Sequence, residues 1–169
     1  PGSNIMKTIN QYFEYMYKLE RSGMKYDLIN ITAILHSIGD PQNSFKSIHI
    51  AGTNGKGATA SFIASILMEH GLKTGLFTSP HILKFNERIR VNGKCIGNNY
   101  IKDFLNRNKK TIKKIKPSFF EVNTALAFEY FAKHKVDVAV VECGLGGRLD
   151  STNVLKPDIS VITQIGKDH

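Results

Sequence analysis

One short stretch restricts this chain more than any other. A strand-like run, Ile48-His49-Ile50-Ala51, leads into Gly52-Thr53-Asn54-Gly55-Lys56-Gly57, and a helical segment from about Ala58 to His70 follows, closed by Gly71. A strand, a glycine-rich turn and an amphipathic helix in that order must pack as part of a layered α/β sheet. The turn also has chemistry. Glycines let backbone N–H groups converge on an anion, and the start of the next helix adds unpaired donors and partial positive charge. Lys56 adds a point charge suited to the terminal phosphates of a nucleotide. The strict P-loop spacing is not met, since Ile50 stands where its first glycine would be and Gly57 where a Ser or Thr would hold Mg2+. A cation at this loop therefore needs protein ligands from elsewhere in the chain. The plainer alternative is a glycine-rich turn with an exposed lysine.

The rest of the chain extends the same pattern. Tyr12, Phe13, Met16, Tyr17 and Leu19 mark one helical face, and Leu28, Ile31, Ile34, Leu35 and Ile38 another, ended by Gly39-Asp40-Pro41. Lys73 to Thr78 reads as a strand, and Asn92-Gly93 between Ile89–Val91 and Lys94–Ile96 as a hairpin turn with positive φ. Helices are expected over about 98–115 and 121–134. The apolar runs Val136 to Val141 and Ile159 to Thr163 carry the mark of central parallel strands. The expected class is α/β, a P-loop-type doubly wound, mainly parallel sheet flanked by helices.

Residues 1–6 are read as a tag remnant or start, and residues 7–169 as one nucleotide-binding domain. The sequence stops at His169, just after a strand, where ligand-binding loops normally begin, so that domain is expected to be C-terminally incomplete.

The net charge of +9 suits anionic small molecules as well as nucleic acid. Much of the excess, Lys109, Lys110, Lys113, Lys114 and Lys116, lies on a helix whose other face carries Ile101, Phe104, Leu105, Ile112 and Ile115; it reads as a solvated face. No helix-turn-helix, RNA-binding sheet or zinc finger is visible, so no nucleic-acid partner is expected. No stretch approaches the length of a membrane span and no signal peptide is visible. Cys95 and Cys143 form neither a disulfide framework nor a metal-type pair, which suits reduced thiols in a cytoplasmic protein.

With these residues in view, the chain resembles the Mur ligase superfamily. Gly52-Thr53-Asn54-Gly55-Lys56-Gly57 looks like its nucleotide loop, and the Gly-Lys-Gly form resembles the folate branch, folylpolyglutamate and dihydrofolate synthases. Further ordered segments agree: Leu35 to Gln42; Thr78-Ser79-Pro80-His81 continuing through Phe85-Asn86-Glu87-Arg88-Ile89 and Asn92-Gly93; Phe119-Phe120-Glu121 with Thr124; Glu142 to Asp150 with Thr152-Asn153; and Ile162 to His169. The resemblance spans residues from about 7 to 169. It departs at Ala58, where the family usually has Ser (with Thr59 a possible substitute), and at Lys167, where it has an apolar residue.

The resemblance implies an ATP-dependent amide ligase that joins L-glutamate to a folate or dihydropteroate carboxylate through an acyl phosphate, with ATP and Mg2+ as cofactors. It implies nucleotide contacts from Gly52, Thr53, Asn54, Gly55, Lys56, Gly57, Ala58 and Thr59, with Lys56, Glu142 and His169 as catalytic residues. The family's Mg2+ ligands match Ser79, Glu142 and His169, each at the end of an expected strand. Asp168 is expected to orient His169 or a bound water, and Arg88 either to face an acidic substrate or to make a structural ion pair. His81 is expected to be a hydrogen-bonding loop residue. The family's glutamate-recognising domain and carboxylated lysine lie beyond the segments matched, so this chain alone is expected to be inactive, and a monomer. The alternatives are a non-catalytic nucleotide-binding module, another Mur-type ligase, or a P-loop kinase or GTPase; the last lacks both the Walker hydroxyl and a guanine-reading Asn-Lys-x-Asp.

Overall fold

The computed structural model describes residues 6, 8–20 and 27–166. Its elements are helices α1 (Ile9–Glu20) and α2 (Ile29–Ser37), strand β1 (Lys46–Ala51), helix α3 (Lys56–Glu69), strands β2 (Thr74–Phe77), β3 (Ile89–Val91) and β4 (Lys94–Cys95), helices α4 (Asn98–Ile115) and α5 (Phe119–Lys133), and strands β5 (Val138–Glu142) and β6 (Ile159–Ile162). The six strands lie in the order β4-β3-β2-β5-β1-β6. β2, β5, β1 and β6 are mutually parallel, and β3 and β4 add an antiparallel edge.

The two sheet faces follow the two-residue period of the strands. Phe77, Ala139 and Val141 enter the larger core with α1, α2, α4 and α5, while Leu76, Val140, Ile48 and Ile50 pack with Ala60 and Ala64 of α3. Helices thus cover both faces, as expected of a doubly wound sheet. Residues of α5 from Phe119 to Phe131 are buried throughout, except the half-buried Phe120. It is the central helix of its layer, which is why its sequence is apolar almost all round.

Several boundaries shift for local reasons. α5 starts at Phe119 because Ser118 and Glu121 form a reciprocal capping box, with the Glu121 N–H donating to Ser118 Oγ at 3.2 Å and the Ser118 N–H to Glu121 Oε2 at 2.6 Å. α3 starts at Lys56, inside the expected loop. Asn92 and Gly93 have φ of +46° and +73°, the two left-handed residues that a tight hairpin turn requires. The expectation of a second central strand is corrected: β6 pairs with β1 at the edge of the sheet among the described residues, and Ile159 and Ile162 are 54% and 68% exposed. The apolar face of α4 is buried as expected, through Ile101, Phe104, Leu105 and Ile112. No helix among the described residues is long and apolar enough to cross a membrane.

Candidate functional site

The C-terminal ends of β1, β2 and β5 meet at one edge of the sheet, where an open α/β sheet places its ligands. β1 delivers the glycine loop. Gly52 has φ of +134°, and a side chain there would run into Thr163, so only glycine fits. Gly55, at φ +81°, turns the chain into α3. The Thr53 and Asn54 N–H groups donate to Gln164 O at 2.9 and 3.4 Å, and the Gly166 N–H donates to Thr53 Oγ1 at 3.1 Å. The loop is thereby fastened to the segment after β6. Those two N–H groups are committed to Gln164, and the Thr53 hydroxyl to Gly166. The N–H groups of Gly55, Lys56, Gly57 and Ala58 have no backbone partner among the described residues, whereas Thr59 N–H donates to Gly55 O at 2.9 Å. Lys56 Nζ donates to Gly52 O and Thr53 O at 2.7 and 3.1 Å, which holds the ammonium over the loop.

β5 delivers Glu142, only 4% exposed. The Ser79 N–H at the end of β2 donates to its Oε2 at 2.9 Å. A Cβ at Gly57 would lie 3.4 and 3.5 Å from the two carboxylate oxygens. The space left by the missing Walker hydroxyl is thus bordered by the Glu142 carboxylate. Burial pushes the Glu142 pKa above the ordinary carboxylate range, against the opposing pull of the Ser79 N–H, Lys56 and Arg88. A buried carboxylate with one oxygen to spare, held at the end of β2 by the Ser79 backbone, fits a hard divalent cation. Of the three expected ligands the structure brings Ser79 and Glu142 together, while His169, like Asp168 and Lys167, lies outside the described residues. No cluster of three His, Cys, Asp or Glu residues suited to a metal occurs among the described residues.

The segment between β2 and β3 frames the site. Arg88, 8% exposed, donates from Nε to His81 Nδ1 at 2.8 Å and lies 5.3 Å above the Phe119 ring. His81 is a hydrogen-bonding loop residue as expected. Burial and the adjacent guanidinium lower its pKa, so the ring is neutral at ordinary pH. The Glu87 carboxylate accepts from the N–H groups of Ile82, Leu83 and Lys84 at 2.9, 3.2 and 2.9 Å. This fixes a loop whose tips, Ile82 and Leu83, are 90% and 84% exposed.

One part of the site was not foreseen. Asp150 Oδ2 accepts from the N–H groups of Gly144 and Leu145 at 2.8 and 2.9 Å, and its Oδ1 from Thr152 N–H at 2.9 Å. Thr152 Oγ1 donates to Asp150 and lies 2.7 Å from His49 Nε2, which is also 3.0 Å from Cys143 Sγ. This buried brace ties β1, the strand of the glycine loop, to the loop after Glu142. Burial lowers the His49 pKa and raises that of Cys143 to about 11, so both are neutral and the pair is no nucleophilic dyad. An Asp followed two residues on by Thr is a turn signal that the sequence did carry.

Comparison with known proteins then bears on this geometry. Residues 50–169 match the family model of the Mur ligase middle domain. The chain is 46% identical over 154 residues to the dihydrofolate synthase/folylpolyglutamate synthase of Bacillus subtilis (strain 168), covering 87% of this chain and 36% of that protein. It superposes on the folylpolyglutamate synthase of Mycobacterium tuberculosis complexed with ADP with a TM-score of 0.87 at 38% identity, covering 95% of this chain and 38% of that one. It superposes on the bifunctional folylpolyglutamate synthase/dihydrofolate synthase of Yersinia pestis c092, complexed with AMPPNP and a Mn ion, with a TM-score of 0.90 at 30% identity, covering 100% of this chain and 41% of that one. The chain therefore spans well under half the length of these relatives.

Proposed function

Given that this chain belongs to the Mur ligase family and resembles its folylpolyglutamate and dihydrofolate synthase members, we propose that it is the nucleotide- and metal-binding part of an ATP-dependent ligase. The reaction proposed is amide formation between a folate or dihydropteroate carboxylate and the amine of L-glutamate. The observation that carries this reading is the meeting of the glycine loop with Glu142 and Ser79 at one sheet edge. The solved relatives support it, two of them in complex with ADP or with AMPPNP and Mn.

In this reading the open N–H groups at the start of α3, together with Lys56, bind the phosphates of ATP. Glu142 and Ser79, with His169 by resemblance, would hold Mg2+, which would supply charge neutralisation to the transferring phosphoryl group. The carboxylate of the acidic substrate attacks the γ-phosphorus and ADP leaves. The glutamate amine then attacks the acyl phosphate carbon, inorganic phosphate departs, and the amine proton passes to solvent or a base. Gly57 keeps the first turn of α3 clear for the Glu142 carboxylate. Recognition of glutamate is assigned to sequence that the longer relatives have and this chain does not match, so the 169-residue chain alone is expected to bind nucleotide without glutamate-dependent ADP release. Two free cysteines suit a cytoplasmic setting, and we assign the chain to a monomer.

The test is oxygen transfer. In a polypeptide of the relatives' length that carries this chain, turnover with ATP, Mg2+, L-glutamate and a substrate labelled with heavy oxygen in its carboxylate should deliver one labelled oxygen to inorganic phosphate. Turnover with unlabelled phosphate would exclude the acyl phosphate route.

A further inference from the structure

A cavity of about 690 Å³ lies at the end of the sheet opposite the glycine loop, between the last turn of α2, the middle of α4 and the last turn of α5. Ser44, on its wall, comes two residues before β1, and the far end of β1 carries the glycine loop. About 17 Å of strand therefore separates the cavity from that loop.

Part of its wall is cationic. Glu129, buried on α5, accepts from Arg107 Nη1 and Nη2 at 3.1 and 2.7 Å and from the Tyr100 hydroxyl at 2.9 Å, and lies 3.3 Å from Lys133 Nζ. Burial opposes its ionisation, but these partners outweigh burial and hold its pKa below the ordinary carboxylate range. One carboxylate thus serves two cations, both half-exposed and both lining the cavity. Arg107 commits two of its five N–H groups to Glu129. Asp103, one turn earlier on α4, is in no ion pair among the described residues.

The rest of the wall accepts hydrogen bonds. α2 ends there at Gly39 and Asp40, with φ of +85° and +50°, and its carbonyl end carries partial negative charge. Hydrogen bonds from His36 and Gln42 hold the Asp40 carboxyl below the usual carboxylate range, so it is charged. Ser37 and Ser44 donate their hydroxyl protons to Ile34 O and Pro41 O, each at 2.7 Å, and offer the cavity only lone pairs. Asn108 is 7% exposed and lines the same cavity. Its Nδ2 donates to Phe104 O at 2.9 Å, while its Oδ1 accepts nothing among the described residues. The clamp on Glu129 accounts for the joining of α4 to α5. It does not account for a nearly buried amide oxygen without a donor.

A simple anion would suit Arg107 and Lys133 but be repelled by Asp40, and a simple cation the reverse. We infer that this cavity binds a free amino acid as its zwitterion, with the carboxylate on Arg107 and Lys133 and the ammonium on Asp40 and Asn108 Oδ1. The inference stands apart from the ligase reading, because the occupant lies at the opposite end of β1 from the glycine loop.

The test follows amide chemical shifts of the 169-residue chain. L-alanine, γ-aminobutyrate and ε-aminocaproate, which space the two charges differently, are added at constant ionic strength, with acetate and ethylammonium as single-charge controls. At least one amino acid should give saturable shifts centred on Gly39, Asn108 and Lys133 and bind about fivefold or more tightly than either control. Asp40→Asn keeps a residue that tolerates the left-handed turn and should weaken that binding by about fivefold. Lys133→Gln should weaken it similarly from the cationic side. An absence of saturable shifts, acetate binding as tightly as every amino acid, or unchanged affinity in either folded variant would overturn the inference. So would shifts centred on the glycine loop, which would place the amino acid at the other end of the sheet.

Discussion

The Ser79 N–H donates to Glu142 Oε2 at 2.9 Å, joining the ends of the neighbouring parallel strands β2 and β5. That bond presents the carboxylate to the start of α3, where Gly57 leaves room for it. The arrangement stores a cost: burial disfavours the charged form of Glu142, and one N–H with two nearby cations offsets this only in part.

The first prediction concerns pH. The Glu142 pKa is higher in the folded chain than in the unfolded one. Its contribution to stability is therefore fully present below the unfolded value and is lost as pH rises through the folded value. Glu142→Gln keeps an acceptor for the Ser79 N–H and cannot ionise. In metal-free buffer the variant should be at least as stable as wild type at neutral pH, and its melting temperature should lack the fall that wild type shows above the ordinary carboxylate range. A variant markedly less stable at neutral pH would mean that the carboxylate supports the fold and not a ligand.

Gly52 makes the second prediction. Its φ of +134° is closed to L side chains, and a methyl group would also strike Thr163. Gly52→Ala should destabilise the chain by roughly 2–4 kcal/mol, through backbone strain and overpacking together. Urea denaturation measures this, and a loss under about 0.5 kcal/mol would show that the loop adopts another conformation.

The third concerns the brace behind the site. Asp150, 6% exposed, satisfies three N–H groups and one hydroxyl. Asp150→Ala leaves buried donors unpaired and should cost on the order of 3 kcal/mol. Thr152→Val, which removes only the hydroxyl between Asp150 and His49, should cost less. Denaturation of both variants checks the order, and a reversed order would place the structural burden on the His49 contact.

Legibility in the sequence followed the range of the interactions. The Asn92-Gly93 hairpin rests on contacts within a few residues, and the sheet class and the glycine loop show in local periodicity and composition, so all three were readable although their partners are distant. Ser118-Phe-Phe-Glu121 is a capping box that would have set the start of α5 two residues earlier than expected. Burial of β6 was misjudged because an apolar run signals a need for cover without naming what supplies it, and Ile159 and Ile162 stay more than half exposed among the described residues. The His49 contacts to Cys143 and Thr152 span 94 and 103 residues. No local pattern encodes a pairing of that range. The link between Glu142 and Gly57 was half visible, since the missing hydroxyl called for a ligand from elsewhere while only the fold identifies its neighbour.

The central claim is that the loop and Glu142 form one site for a nucleotide with its divalent cation. Calorimetric titration of the 169-residue chain with ATP, with and without Mg2+, tests it most directly, alongside Lys56→Ala and Glu142→Gln. Charge-assisted contacts to phosphate contribute about 1.5–3 kcal/mol, so Lys56→Ala should weaken binding by about tenfold or more in either buffer. Glu142→Gln should leave metal-free affinity near that of wild type and remove most of the strengthening that Mg2+ brings. Binding that is indifferent to Mg2+ in the wild type, or equal in wild type and Lys56→Ala, would contradict the account.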